Sequence, residues 1–426
     1  MHEWTREPLV AIADIRPSNV DKKSMPGEQA VRLCNYTDVY GNRYITENID
    51  FMEATATQLE IQRFRVEQGD VLMTKDSETP DDIGIPAVVV DEIADLVCGY
   101  HVALLKPRRD RVAPGFLAKQ LESTESANYF GRLANGSTRY GLSYGSIAAT
   151  PIRLAPLAQQ QRIVEILTTI DEGIEQAEAL IAKTQQIKAG LMHDLFTRGV
   201  TPDGQLRPPR EEAPQLYKES PLGWIPKEWH VAAIGALFSR RVERGVPGLP
   251  VMAITMSEGL VLRASVDRRV ETNLSPEAHL LVRRGDIAYN MMRMWQGVLG
   301  RADYDCLVSP AYVVMRPGPE VDSLFSKYLL STRSSIAKFK RFSYGVVDDR
   351  LRLYARDLLR IPLAVPRALV EQEAIAARLQ AVDDSLRETR AHLEKCRAQR
   401  HGLMDDLLTG RVRVPSTKDS EHTASV

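Results

Sequence analysis

Catalysis needs acids, bases or nucleophiles at close spacing, and this chain offers few. His193-Asp194 sets a potential general base beside a carboxylate. The matching stretch 212 residues later reads Asp405-Asp406. A helix position that takes either His or Asp faces solvent rather than a substrate. Asp81-Asp82 precede an apolar run, as a metal-dependent nuclease would place its first carboxylate. No acid-x-Lys follows, so the pair reads as a polar loop. The chain has no GxxxxGK[ST] phosphate cradle, no GxGxxG after a strand and no Asn-Pro-Pro-Tyr-type methyltransferase tetrapeptide. Its eight histidines suggest no metal cluster. The four cysteines (Cys34, Cys98, Cys306, Cys396) lack a CxxC pair and fit reduced cytosolic thiols. A chain this long without a reaction centre points to binding and scaffolding.

The bulk properties set the frame for that reading. A length of 426 residues argues for two or more domains. With 44% hydrophobic and 26% charged residues the composition is that of a soluble protein. No run approaches eighteen apolar residues, so no membrane span is expected. MHEWTREPLV mixes acids and bases without an apolar stretch, so no signal peptide is expected and the location predicted is cytoplasmic. The net charge of -1 argues weakly against nucleic acid, but balance can hide basic faces. Arg132 to Arg153 holds three arginines and no acid; Arg240 to Arg301 holds ten arginines and six acids.

The strongest pattern is a duplication. GLMHDLFTRGV at Gly190 returns as GLMDDLLTGRV at Gly402. Upstream of the first, Ile163, Leu167, Ile170, Ile174, Ala177, Ile181, Thr184, Lys188, Leu191 and Leu195 step alternately by four and three, the a/d seam of a coiled coil. The second seam is Ile375, Leu379, Val382, Leu386, Thr389, Leu393, Cys396, Arg400, Leu403 and Leu407, each 212 residues after its counterpart. Each helix should run to roughly 38 residues, or about 57 Å. Helices so long and amphipathic do not stand alone in water, so the two should pack on each other. A parallel pair would set Lys188 against Arg400; an antiparallel pair gives each the partner's start, and is the arrangement expected.

The repeat extends beyond the helices. IPAVVV at Ile85, HVALLKP at His101 and AYVVMRP at Ala311 read as strands. GDVLMTKD at Gly69 and GDIAYNMMR at Gly285 are each a Gly-Asp turn feeding a strand. GFLAKQLEST at Gly115 aligns with SLFSKYLLST at Ser323, two short amphipathic helices. The predicted fold is therefore α/β (α+β): two globular domains and two long helices packed as an antiparallel coiled coil, with a pseudo-twofold internal repeat. The expected boundaries are 1–154 for the first domain and 155–198 for its helix. A Pro-rich linker or wrapped arm at 199–228 comes next, then 229–362 for the second domain, 363–412 for its helix and 413–426 as a disordered tail. Two similar heads on a rigid spacer suggest a ruler, and DNA is the leading object to measure. The heads would enter major grooves separated by a multiple of the roughly 34 Å turn. A scaffold bridging two protein partners without reading DNA is the alternative.

These residues closely resemble the specificity subunit of Type I restriction-modification systems. The resemblance rests on GWIPKEWHVAAIGALF, the Gly-Asp turns, GSTRYGL, and LAPLAQQQRIVEILTTID and PRALVEQEAIAARLQAVDD, each followed by GLMxDL. It covers essentially residues 1 to 412. It implies two target recognition domains, each reading half of a bipartite DNA target, and helices that set spacing and dock two methyltransferase subunits. Those partners would bind S-adenosylmethionine and methylate adenine; restriction subunits would use ATP and magnesium to cleave. This chain would itself be non-catalytic, without cofactor or metal. The first helix departs from the pattern by opening with Gln159-Gln160-Gln161, where the second has Glu371-Gln372-Glu373.

Groove and phosphate contacts favour Arg, Lys, Asn, Gln and hydroxyl side chains. The candidates are Lys75, Ser77, Asn135, Ser137, Thr138, Arg139 and Tyr140 in the first block, and Asn290, Arg293, Gln296, Tyr344, Arg350 and Arg352 in the second. For each, the alternative is an ordinary exposed loop residue. Trp295 reads either as a wedge between bases or as a core tryptophan.

Overall fold

A computed structural model of the chain describes residues 4–266, 274–347 and 350–414. The expected tail lies outside these from 415 onward, as do Asp348 and Asp349. The chain forms two compact units, Met1–Glu178 with Ala391–Val426, and Ala179–Arg390.

The first unit is built on a five-stranded sheet. Its strands are β1 (Ala13–Pro17), β2 (Tyr44–Ile45), β3 (Val71–Thr74), β4 (Pro86–Val89) and β5 (Val102–Pro107), in the order β1-β5-β3-β4-β2. Side chains alternate between its faces. Val71, Met73, Ala103 and Leu105 join one apolar cluster, while Leu72, Val102 and Leu104 join another. The first cluster also takes Phe116 and Leu121 from α1 (Pro114–Glu122) and Phe130 from α2 (Thr124–Leu133). It takes Ile163 and Leu167 from α3 (Leu157–Thr197), whose later part belongs to the second unit.

The second unit repeats this plan with four strands. They are β6 (Phe238–Arg241), β7 (Ile287–Asn290), β8 (Leu299–Arg301) and β9 (Tyr312–Pro317), in the order β6-β9-β7-β8. Helices α4 (Ser323–Leu330) and α5 (Arg333–Arg341) cover one face, with Phe325 and Phe339 buried there. The last long helix, α6 (Leu369–Leu408), starts in this unit with Ile375 and Leu379 in the same core and ends in the first, with Leu407 and Leu408. The long helices have 41 and 40 residues, slightly more than the seam alone suggested.

Equivalent pieces hold each long helix to its own unit. Gln160, fully buried, accepts from the Ala113 amide (2.8 Å) and donates to the carbonyls of Ala155 (2.7 Å) and Arg111 (3.0 Å). Gln372 does the same with Asp322 (2.8 Å), Pro366 (2.9 Å) and Glu320 (3.0 Å). These clamps show that α1 and α4 correspond at an offset of 209 residues, not the 208 of the sequence alignment. The buried pairs Phe116/Phe325 and Leu121/Leu330 agree, so the counterpart of Lys119 is Tyr328 rather than Lys327. A one-residue slip would turn the phenylalanines out of the core.

The departure at the helix starts also has a cause. Gln159 accepts from the Trp4 indole (3.3 Å), and Glu371 accepts from the Trp229 indole (2.9 Å). Glu371 additionally pairs with Arg207 (2.5 Å) and accepts from the Val200 amide (3.1 Å). Arg207 belongs to the Pro-rich 199–228 segment, which is a folded arm on the second unit with a hairpin of Tyr217–Ser220 and Gly223–Pro226. A buried carboxylate is supported where the arm supplies a cation; Gln159 has no such cation and is neutral.

The seam positions are all buried or half-buried. In the first unit Arg400 pairs with Asp171 (2.5 Å) and Glu122 (2.7 Å), and Arg397 with Glu178 (2.7 Å). Residue numbers rise along α3 as they fall along α6, so the helices run antiparallel there. In the second unit Lys188 pairs with Asp383 (2.5 Å), again antiparallel. Asp171 also meets Lys119, and the Tyr44 hydroxyl donates to it (3.0 Å); the Tyr328 hydroxyl donates to Asp383 (2.8 Å).

Burial pushes the Asp171, Glu122 and Asp383 carboxyls up, but the neighbouring cations outweigh it and hold all three below the ordinary carboxylate range. Their stabilisation is therefore complete above the unfolded values of about 4. It is lost as pH falls through the lower folded values. Thermal unfolding should show Tm falling between about pH 5 and pH 3. Arg400→Met removes one of the two cations on Asp171, a carboxylate with no exposed surface, and also the Glu122 partner; with Lys119 remaining it should cost about 3 kcal/mol in denaturant unfolding. Lys188→Met, at a more exposed pair, should cost about 1 kcal/mol. Equal losses would contradict this account.

Candidate nucleic-acid interface

Both Gly-Asp turns position the strands that lead into the candidate surfaces. Gly69 and Gly285 have φ of 87° and 88°. The Asp70 carboxylate accepts from the Glu67 amide (2.9 Å) and pairs with Lys106 (2.8 Å). Asp286 accepts from the Arg283 amide (3.0 Å) and pairs with Arg241 (2.5 Å). Both aspartates are buried and serve the turn rather than a ligand.

In the first unit β3 runs on into Lys75. The next residues, Asp76–Ser77, pair antiparallel with Tyr140–Gly141. Asn135 and Gly141 exchange backbone hydrogen bonds (3.1 and 2.9 Å), closing a loop with Ser137, Thr138 and Arg139 exposed at its tip. Asn135 is exposed and Tyr140 half-buried beside them. Gly136 has φ of 150°, and a Cβ there would lie 1.9 Å from the Arg139 carbonyl oxygen. The sequence-predicted residues therefore share one surface, with two qualifications. Ser77 is buried and its hydroxyl accepts from the Thr79 amide (3.3 Å), so it shapes the turn. Lys75 is largely covered, its ammonium 4.5 Å from the Tyr100 ring centroid and 3.8 Å from Asp76.

Sequence reasoning missed several neighbours. His101 Nδ1 lies 2.8 Å from Asp76. Tyr36 and Tyr40 stack at 5.4 Å, and the Tyr40 hydroxyl donates to Asp82 (2.7 Å). The hydrogen bond to Asp82 raises the Tyr40 hydroxyl above its usual value. Nothing in the one-dimensional spacing joins residues 40, 76, 82 and 101; only the sheet does.

In the second unit two loops meet. The Leu353 amide donates to the Met291 carbonyl (2.8 Å), and the Tyr289 hydroxyl to the Leu353 carbonyl (3.2 Å). Tyr344 and Arg352 form a backbone bridge. Asn290 accepts from the Met292 amide (3.0 Å), and Arg293 donates to Gln296 (3.1 Å). Arg293, Tyr344, Arg350 and Arg352 are exposed, while Asn290 and Gln296 are half-buried. Trp295 is also half-buried, its indole donating to the Met292 carbonyl (3.1 Å), so it lines the loop rather than filling the core. A Cβ on Gly345 would lie 2.7 Å from the Arg350 carbonyl, as Gly136 crowds Arg139.

Among the described residues no group of His, Cys, Asp and Glu could hold a metal ion, and no helix is long and apolar enough to cross a membrane. The four cysteines are buried and unpaired; burial pushes the Cys306 thiol up to about 11.

Comparison with known proteins finds similarity to one family. The family model for the Type I restriction modification DNA specificity domain matches residues 9–186. The type I restriction enzyme MjaX specificity subunit of Methanocaldococcus jannaschii is 25% identical over 366 residues, spanning 84% of this chain and 81% of that one. The MjaVIII specificity subunit of the same organism is 27% identical over 282 residues, 62% of each chain. In fold, the chain is similar to the Type I restriction-modification S subunit of M. genitalium, with a TM-score of 0.59 at 14% identity, covering 95% of this chain and 96% of that one. Residues 9–186 thus match the specificity-domain family, and the longer alignments show that the chain is similar to Type I specificity subunits in sequence and in fold.

Gly136→Ala places a methyl group against the Arg139 carbonyl, a local strain of about 1–3 kcal/mol. Limited trypsin digestion should then cleave faster at Arg139, with Tm lowered by only a few degrees. Unchanged cleavage would show that the glycine does not shape the loop.

Proposed function

We propose that this chain is the DNA-specificity subunit of a Type I restriction-modification complex, each unit reading one half of a bipartite target. The two units share one plan of sheet, paired helices and glutamine clamp, yet present different exposed side chains. That contrast carries the reading. A scaffold for two like partners would keep its surfaces alike, whereas here the shared parts are buried and the differing parts are the loops around Arg139 and Arg350.

The globular parts, 1–154 and 229–362, act as target recognition domains. The helices α3 and α6 form an antiparallel coiled coil with pseudo-twofold character and set the distance between half-sites. They dock two methyltransferase subunits, and restriction subunits join that complex. S-adenosylmethionine, ATP and magnesium belong to those partners, and this chain contributes recognition without catalysis. The candidate DNA residues act through Arg and Asn in the grooves and through hydroxyls and backbone at phosphates.

Co-expression with a cognate methyltransferase subunit, followed by methylome sequencing, tests the reading. The expected result is one bipartite motif with adenine methylated on both strands; no motif, or a single undivided one, overturns it. Four residues inserted in each helix, after Glu178 and after Arg390, add about 6 Å with about 40° of extra rotation. The motif's spacer should lengthen by one or two pairs with both half-sites unchanged. A changed half-site would contradict the spacer role.

A further inference from the structure

The near-neutral chain is the sum of two strongly charged units. The second unit's residues, 179–390, carry 31 Lys and Arg against 24 Asp and Glu, net +7. The first unit's residues carry 24 against 32, net -8.

Part of the difference lies at one equivalent element. Helix α5 holds Arg333, Lys338, Lys340 and Arg341 and no acid, whereas α2 holds Glu125 and Arg132. The two are counterparts: Ser123 caps α2 and Thr332 caps α5, and the hydroxyls of Ser126 and Ser335 donate to the carbonyls of Gln120 and Leu329 (both 2.7 Å). At that register Arg333 and Lys340 replace Thr124 and Gly131. Ser335 and Phe339 face the core and Lys338 donates to the Pro362 carbonyl (3.1 Å). Arg333, Lys340 and Arg341 are exposed, seven and eight residues apart on one helical face, with no acidic partner among the described residues. The helix packs beside Met294–Gln296 and runs directly into the loop of Tyr344. In the first unit the counterpart of Lys340 is Gly131, where a Cβ would lie 3.8 Å from the Asp81 carboxylate.

We propose that the exposed face of α5 (Arg333, Lys340, Arg341) docks the DNA phosphate backbone, so that the second unit anchors the duplex while the first reads it with little electrostatic hold of its own. The proposal rests on the DNA-reading function and deepens it. Lysine and arginine at phosphates release counterions, so their contribution is read from the salt dependence of binding.

The test uses the complete methyltransferase complex and fluorescence anisotropy with a random-sequence 30-base-pair duplex between 50 and 300 mM KCl. Arg333→Gln/Lys340→Gln should make the slope of log affinity against log salt shallower by about 2. Arg132→Gln, at the first unit's counterpart of Arg341, should leave it unchanged. Melting curves confirm that both variants fold. The double variant should retain the wild-type methylation motif at lower occupancy. An unchanged slope, or an equal change from Arg132→Gln, overturns the anchoring role while the motif still stands. Loss of a motif from the wild-type complex would instead overturn the DNA-reading function.

Discussion

A carboxylate buried between two helices, held by a cation from the other helix, is the interaction on which this molecule depends. Two helices of 41 and 40 residues expose long apolar seams and persist only by burying them on a partner. Apolar contact alone does not choose direction or register. Asp171 with Arg400 and Asp383 with Lys188 do choose, because an in-register parallel pairing would set Asp171 against Asp383 and Lys188 against Arg400, leaving each aspartate only the lysine of its own unit, Lys119 or Lys327. The weak positions of each seam are thus its most informative ones.

From that frame the rest follows by attachment. Each long helix is clamped to its own unit by a buried glutamine, and each unit's sheet puts its apolar faces between that helix and a second cluster. What remains free to differ is the exposed rim. There the units diverge in loop length, in aromatic content and above all in charge. A shared scaffold with divergent rims is what a reader of two unlike half-sites requires.

Much of the fold was legible in sequence, because its signals were periodic. The alternating four and three steps from Ile163 to Leu195 mark a helix face in one dimension. So do the β-branched runs at Pro86, Val102 and Tyr312 for strands. The short helices were placed correctly but aligned one residue out, since Lys119 and Lys327 matched by letter while Phe116 and Phe325 matched by burial. The candidate residues of each unit were grouped on loops in sequence, and the structure brings most of them together around Arg139 and Arg350. The full composition of those surfaces was not legible. Ser77 turns inward, and His101 and Tyr40 come in from distant segments. The Arg207–Glu371 pair, spanning 164 positions, shows the same limit: only the folded arm brings its cation to the carboxylate.

The claim at the centre is that the units read independently on a common frame. Exchanging residues 1–154 for the corresponding block of another specificity subunit, and sequencing the methylome with the same methyltransferase, tests it most directly. The account predicts that one half of the motif changes and the other half and the spacer stay. A motif changed in both halves, or unchanged, would contradict it.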